Sequence, residues 1–454
     1  MCFKHKVAAV LAAGAITATM ALPAMALENE FHGMYRVKGF ISNFNNGSPG
    51  EFYEPAGKDS KAPTNSYVEQ RARLKYMAKA NDDLKLVTHF EIDSRFGDAS
   101  YGVARNKGGA LGADEVNLET KSIYLDFNIP ATPVNMKVGM QPWEDAYNGI
   151  FVDADMAGVL ASSRMNNTSL ALGWFRFDDK GSIAGKEARD LLILDGKYQV
   201  NKDMVLGGSY YLLNDDVGGT NAIRAITKEI AHTLGVNAAA TMGIASVEGF
   251  LLYQFGNLEG PGTQRHLNAF AGSVAARAKV GPGSIKTSFL YASGEKSTSR
   301  STSNAFQAVE DIDSGAEHDY ESEMRMLRKD KFAGTTDNAI VYTINNKDQG
   351  VIFGSIGYDV AITDKLFADA YAGFAAVAKE NANKPTNLNT GVKNSSNYLG
   401  TEINAEIGYK LFDNLTARLQ GGYIFLGDYF KGVAKNGADP DNPYTTRIMM
   451  VYAF

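Results

Sequence analysis

Seven basic residues recur at alternate positions in four segments. Arg36 and Lys38 lie in FHGMYRVKGFIS, Arg71, Arg73 and Lys75 in VEQRARLKYMAK, Arg418 in LTARLQGGYIFL and Arg447 in YTTRIMMVYAF. A counter-charge lies in QPWEDAYNGIFVDAD (141–155), which holds Glu144, Asp145, Asp153 and Asp155 and no Lys or Arg. A spacing of two puts the cations on one face of an extended chain. Set against acids across a water-filled neck, such a ladder makes a transverse field, and rings or patches of charge set ion preference in pores. The same cations can instead pair with Glu69, Glu91, Asp93, Glu402 or Glu406 and brace a wall. The two roles are compatible.

Other chemistry is poorly supplied. The only cysteine, Cys2, sits at the start of the chain, which excludes a disulfide framework and a thiolate metal site in the rest of it. His32, His89, His232, His266 and His318 are scattered, with no H-E-x-x-H spacing. GEFYEPAGKDS misses the P-loop spacing and has Asp59 where that loop needs Ser or Thr. EDIDSGAEHDYESEMRMLRKDK (310–331) is dense in acids but lacks the D-x-D-x-D-G order of a calcium loop, and reads as a solvated or lumen-folded loop. There is no G-x-S-x-G. These residues point away from an enzyme and imply no metal and no cofactor.

The elements that must position the ladder are strands. MCFKHK followed by VAAVLAAGAITATMALPAMA reads as a signal peptide over 1–26, cleaved after Ala24-Met25-Ala26. Its loss removes two lysines and takes the formal charge from −6 to −8, an acidic balance that argues against nucleic acid as a partner. The remainder, 27–454, has no run of 18 apolar residues. It carries instead short segments that alternate apolar and charged residues, with Phe and Tyr near their ends. Phe31, Tyr35, Val37 and Ile41 oppose His32, Met34, Arg36 and Lys38, and Leu84, Leu86, Phe90 and Ile92 oppose Lys85, His89, Glu91 and Asp93. That is the pattern of strands with lipid on one side and water on the other. The expectation is a single all-β domain, a transmembrane antiparallel β-barrel of about 18 strands, with 16 and 20 also open. Short periplasmic turns alternate with long extracellular loops at 43–66, 97–116, 141–156, 178–189, 214–230, 256–265, 295–350, 378–397 and 427–443. NAIVYTINN (338–346) is assigned to a loop. In SLALGWFRF, MVLGGSYYLL and KLFADAYAGF the outward face is ambiguous. Strand 444–454 is expected to close on 31–42, since a strand in lipid cannot leave its backbone unpaired.

The chain ends Ile448, Met450, Tyr452, Phe454 at alternate positions. In this it resembles the Gram-negative outer-membrane porins. ENEFHGMYR and LVTHFEID are also similar to abundant outer-membrane channels of metal-reducing delta-proteobacteria. The resemblance implies that those four residues are read as an assembly signal by the barrel-assembly machinery. It also implies that the loop after the fifth strand, here 141–155, folds into the lumen as a constriction, and that the barrel sits in outer-membrane lipid and lipopolysaccharide, with a homotrimer possible. The function expected is passive diffusion of ions and small hydrophilic solutes through a neck where the basic wall faces the acidic third loop. Two other readings stay open: a barrel sheath around an electron-transfer cytochrome, and a channel selective for an oligosaccharide or a hydrophobic solute.

Overall fold

The computed structural model describes residues 27–44, 63–98, 109, 118–180, 187–217, 226–260, 262–296, 301–309, 322–332 and 339–454. The signal-peptide segment, GEFYEPAGKDS, His318 and most of the expected 97–116 loop lie outside the described residues.

Period-two alternation, broken by Asn, Asp and Gly turns, gives eighteen long strands: β1 (Glu28–Ser42), β2 (Asn65–Asn81), β3 (Leu84–Arg95), β4 (Glu119–Asn128), β5 (Val134–Glu144), β6 (Asp153–Met165), β7 (Thr168–Asp179), β8 (Ala188–Asn201), β9 (Met204–Asp215), β10 (Lys228–Met242), β11 (Ala245–Gly260), β12 (Thr263–Val280), β13 (Gly283–Ala292), β14 (Val351–Ala361), β15 (Leu366–Ala376), β16 (Tyr398–Phe412), β17 (Leu415–Leu426) and β18 (Tyr444–Ala453). A two-residue stretch, Thr302–Ser303, adds a parallel pairing to His266 and Leu267 of β12. Each strand pairs antiparallel with the next, and β18 pairs with β1. The sheet is therefore a closed antiparallel barrel, which leaves no edge for lipid to desolvate. At the seam Met34 is in register with Ala453 and Ser42 with Thr445, and Phe454 exchanges backbone hydrogen bonds with Gly33.

The faces sort as the alternation requires. Phe31, Tyr35, Ile41, Ile448 and Met450 lie on the outside, whereas Arg36, Lys38, Arg71 and Arg447 are buried on the inside. The ambiguous strands resolve with Leu170, Leu172, Trp174, Leu206 and Phe374 outward. Ser209, Tyr211, Asp369 and Tyr371 take the opposite parity.

Two loop boundaries differ from the sequence expectation. The expected loop 256–265 is almost entirely strand: β11 and β12 run on to Gly260 and back from Thr263. Their 16 and 18 residues exceed the ~10 that a tilted strand needs to cross a membrane. Glycine and polar residues in this stretch suit a ladder continued into water as well as they suit a loop. The third loop is likewise shorter than 141–155. Glu144 closes β5, Asp153 opens β6 and Asp155 follows on it, leaving 145–152 as the connection. The described part of NAIVYTINN, 339–346, is not strand, and Ala339, Ile340, Val341 and Ile344 are buried.

Candidate functional site

Two loops make contact with inward-facing residues of the barrel wall. The first is 145–152. Its Asp145 is buried, and its carboxylate accepts the backbone N–H groups of Tyr147 (2.7 Å), Gly149 (3.1 Å), Phe151 (2.7 Å) and Val152 (2.8 Å). Asn148 and Gly149 turn the chain through positive φ, 62° and 67°. The loop so knotted presents Tyr147 and Phe151 to the wall. Phe151 stacks on Tyr211 of β9 at 5.3 Å, and Tyr147 meets Phe250 of β11 edge-on at 5.5 Å. The Tyr147 hydroxyl bonds Ser209, and Asn237 of β10 donates to the Ala146 carbonyl at 3.1 Å. Desolvation outweighs the four amides and pushes the Asp145 carboxyl up to about 7.

The second is the long connection between β13 and β14, described at 301–309, 322–332 and 339–350. The Glu402 carboxylate on β16 accepts the backbone N–H groups of Arg325 (2.7 Å), Met326 (3.0 Å) and Leu327 (2.6 Å). Asp330 pairs with Arg447 of β18, whose guanidinium also donates to the Arg325 carbonyl at 2.9 Å. Arg325 itself lies 3.5 Å from both Asp330 and Glu406 and 3.6 Å from Asp369. Lys38 donates to the Phe332 carbonyl at 2.7 Å. Further along, Gln254 of β11 donates to the Gln307 carbonyl at 2.7 Å, and the Val309 N–H reaches the Phe151 carbonyl at 2.8 Å. The two in-folded loops therefore touch.

The basic ladder lies inside and is matched by acids. Arg71 makes two bonds to Asp93, at 2.7 and 2.6 Å, and lies 3.4 Å from Glu91. Arg73 pairs with Glu91, Arg418 with Glu406 and Arg447 with Asp330. Lys38 stands 3.8 Å from Glu69. Arg36 is buried on the same face and Lys75 half-buried nearer the mouth. The four acids of 141–155 are dispersed: Asp145 serves the loop's own amides, Asp155 pairs with Lys121 at 2.8 Å, Asp153 is exposed at the start of β6, and Glu144 lines a cavity with Arg164 and Lys197. Bracing by neighbouring acids, open as an alternative in the sequence, is thus the geometry of the ladder. Ile448, Met450, Tyr452 and Phe454 share the outward face of β18 and its end.

Sequence reasoning passed over several lumenal residues. Three cavities of about 540, 280 and 610 Å³ follow one another beneath loop 145–152. The first two share Ala146 and Lys197, and the last two share Asn148 and Glu248. The largest is also lined by Lys286, Glu323 and Tyr371. Lys286 is held by Glu323 at 3.0 Å and Asp359 at 3.3 Å, and Arg277 by Asp359 at 3.0 Å. The signal available was the alternation in AARAKV and SIKTS, which has the same period as the ladder. Among the described residues no group of three or more His, Cys, Asp or Glu side chains is arranged to hold a metal ion.

No family model and no curated protein matches this sequence. Solved structures do match in fold. OccAB1 of Acinetobacter baumannii is 13% identical with a TM-score of 0.54, over 94% of this chain and 96% of its own. OccAB4 of the same organism is 13% identical with a TM-score of 0.54, over 95% and 100%. The outer membrane protein OpdK of Pseudomonas aeruginosa is 11% identical with a TM-score of 0.53, over 94% and 98%. The likeness is one of fold, that of the 18-stranded outer-membrane porin barrel. It does not extend to the delta-proteobacterial resemblance.

Proposed function

We propose that the chain is an outer-membrane channel through which ions and small hydrophilic solutes diffuse passively. The observation that carries this reading is the string of polar cavities left inside a closed barrel after two of its loops have folded in. A barrel of this strand number is too wide for side chains alone to fill, and the in-folded loops reduce it to the scale of small solutes. The exported location follows from the barrel and from the signal-peptide reading of 1–26. Outer membrane protein OpdK shares the fold and supports the same location.

The neck belongs to the proposal. Arg36, Lys38, Arg71, Arg73, Lys75, Arg418 and Arg447 form its charged wall, with segment 322–332 lying directly on Lys38 and Arg447, and loop 145–152 forms the other side against β9, β10 and β11. Because the wall cations sit against Asp93, Glu91, Glu406 and Asp330, the field they present is that of ion pairs rather than of bare cations. Segment 322–332 is bonded to the wall where a cytochrome would have to lie, and 339–350 is bonded to connection 427–443, so the sheath reading is not favoured.

The test is conductance of the purified protein in a planar bilayer under a KCl gradient. Discrete open steps with weak ion preference are expected. A folded barrel that passes no current would overturn the proposal.

A further inference from the structure

The middle cavity beneath loop 145–152 brings together two side chains of opposite charge, Lys197, whose charge is also felt by Asp195, and Glu248. It measures about 280 Å³ and is lined by Lys197 of β8 and Glu248 of β11, with Asn148, Asn237 and Ser273. Neither Lys197 nor Glu248 has an ion-pair partner among the described residues. The contrast is with Lys286 and Arg277 in the adjoining cavity, both tied to Asp359. Asp195, next to Lys197 on the same face, receives the Tyr211 hydroxyl at 2.8 Å.

The register fixes how the two charges face. Lys197 is opposite Gly207, Gly207 opposite Asn237, and Asn237 opposite Phe250. Glu248 is the next inward side chain below Phe250, so the pair stands three strands apart and one step down, roughly 14 Å between backbones at the usual strand spacing. The wall between is kept low. A Cβ at Gly207 would displace the Asn237 amide, and Ala239 and Ala275 line the floor. Asn148 at the loop tip closes the cavity from above.

An anion drawn to Lys197 meets Glu248 and Asp195, and a cation drawn to Glu248 meets Lys197. A solute with both charges satisfies both walls in one orientation. We propose that this cavity binds small zwitterions, molecules with one ammonium and one carboxylate. The carboxylate lies toward Lys197, the ammonium toward Glu248, and the Asn148 amide can bond either. The proposal rests on the channel reading and names the solute class for it.

Flux of alanine, propionate and isopropylamine into vesicles holding the protein tests it, with KCl conductance measured on the same preparation. The three share a skeleton and differ in charge. Alanine is expected to cross about fivefold faster than either ion. Lys197→Met and Glu248→Gln each remove that advantage, the first favouring isopropylamine over propionate and the second the reverse. Both side chains are exposed to the lumen, so neither change disturbs the packed wall. Conductance with equal flux of the three solutes, or an alanine advantage that survives both substitutions, would overturn the site while leaving the channel. Absence of conductance from folded protein overturns both.

Discussion

Tyr147 lies directly over Gly235: a Cβ at that position of β10 would overlap the tyrosine hydroxyl and ring. The tip of loop 145–152 therefore depends on a missing side chain four strands away along the wall. Gly235→Val leaves the strand β-competent but unseats the loop, since overpacking of a filled site costs about 1–3 kcal/mol. Single-channel conductance should rise with the barrel intact. Unchanged conductance would show that Tyr147 does not narrow the path.

Asp145 makes the seating of that loop depend on pH. Its folded pKa, pushed up to about 7, stands above the ordinary carboxylate value of 3.8. The seated loop thus binds a proton that a released loop does not between roughly pH 4 and pH 7, and seating weakens as pH rises through that window. Hydrogen exchange at the amides of Tyr147, Phe151 and Val152, corrected for the intrinsic rate, should show protection falling over the same range. Asp145→Asn cannot titrate and should flatten the profile.

Glu402 holds segment 322–332 through three backbone amides. Glu402→Ala leaves those donors without an acceptor at about 1–3 kcal/mol for each buried group. The segment should come away from the wall, seen as larger and noisier current steps and as new protease cleavage near Arg325 and Arg328. Glu402→Gln keeps one oxygen acceptor and should fall between.

Arg71 is balanced by Asp93 and Glu91. Arg71→Met leaves both carboxylates without it, and breaking a buried pair by removing one partner costs about 3–5 kcal/mol. The reversal potential in a KCl gradient should move toward potassium. A move toward chloride would overturn this assignment of the counter-charge.

The barrel was legible because its signal is local and repeated. Alternation in FHGMYRVKGFIS or YTTRIMMVYAF fixes which side chains meet lipid, and antiparallel hairpins need only neighbouring segments to agree. Closure of β18 on β1 followed from the cost of an unpaired strand in lipid. What was not legible depends on contacts between distant segments. Nothing near Glu402 in sequence says that its carboxylate caps the amides of 325–327, some 75 residues earlier. Asp145 looks like one more solvated loop acid until the four amides around it are seen. The length of β11 and β12 was hidden for the opposite reason: a ladder that rises into water needs no apolar face.

The seam between β1 and β18 joins Met34 to Ala453, while every other strand pairs with its neighbour along the chain. Most of the other ladders join segments close in sequence, β13 and β14 being separated by the long connection 293–350, but the last one requires the two ends of the sheet to meet, Met34 with Ala453. Loop-closure entropy and contact order put such a step late and make it slow. A sheet whose seam has not yet formed would have two free edges, at β1 and β18. A covalent link across the seam, made before insertion, would shorten that step and leave the finished barrel unchanged.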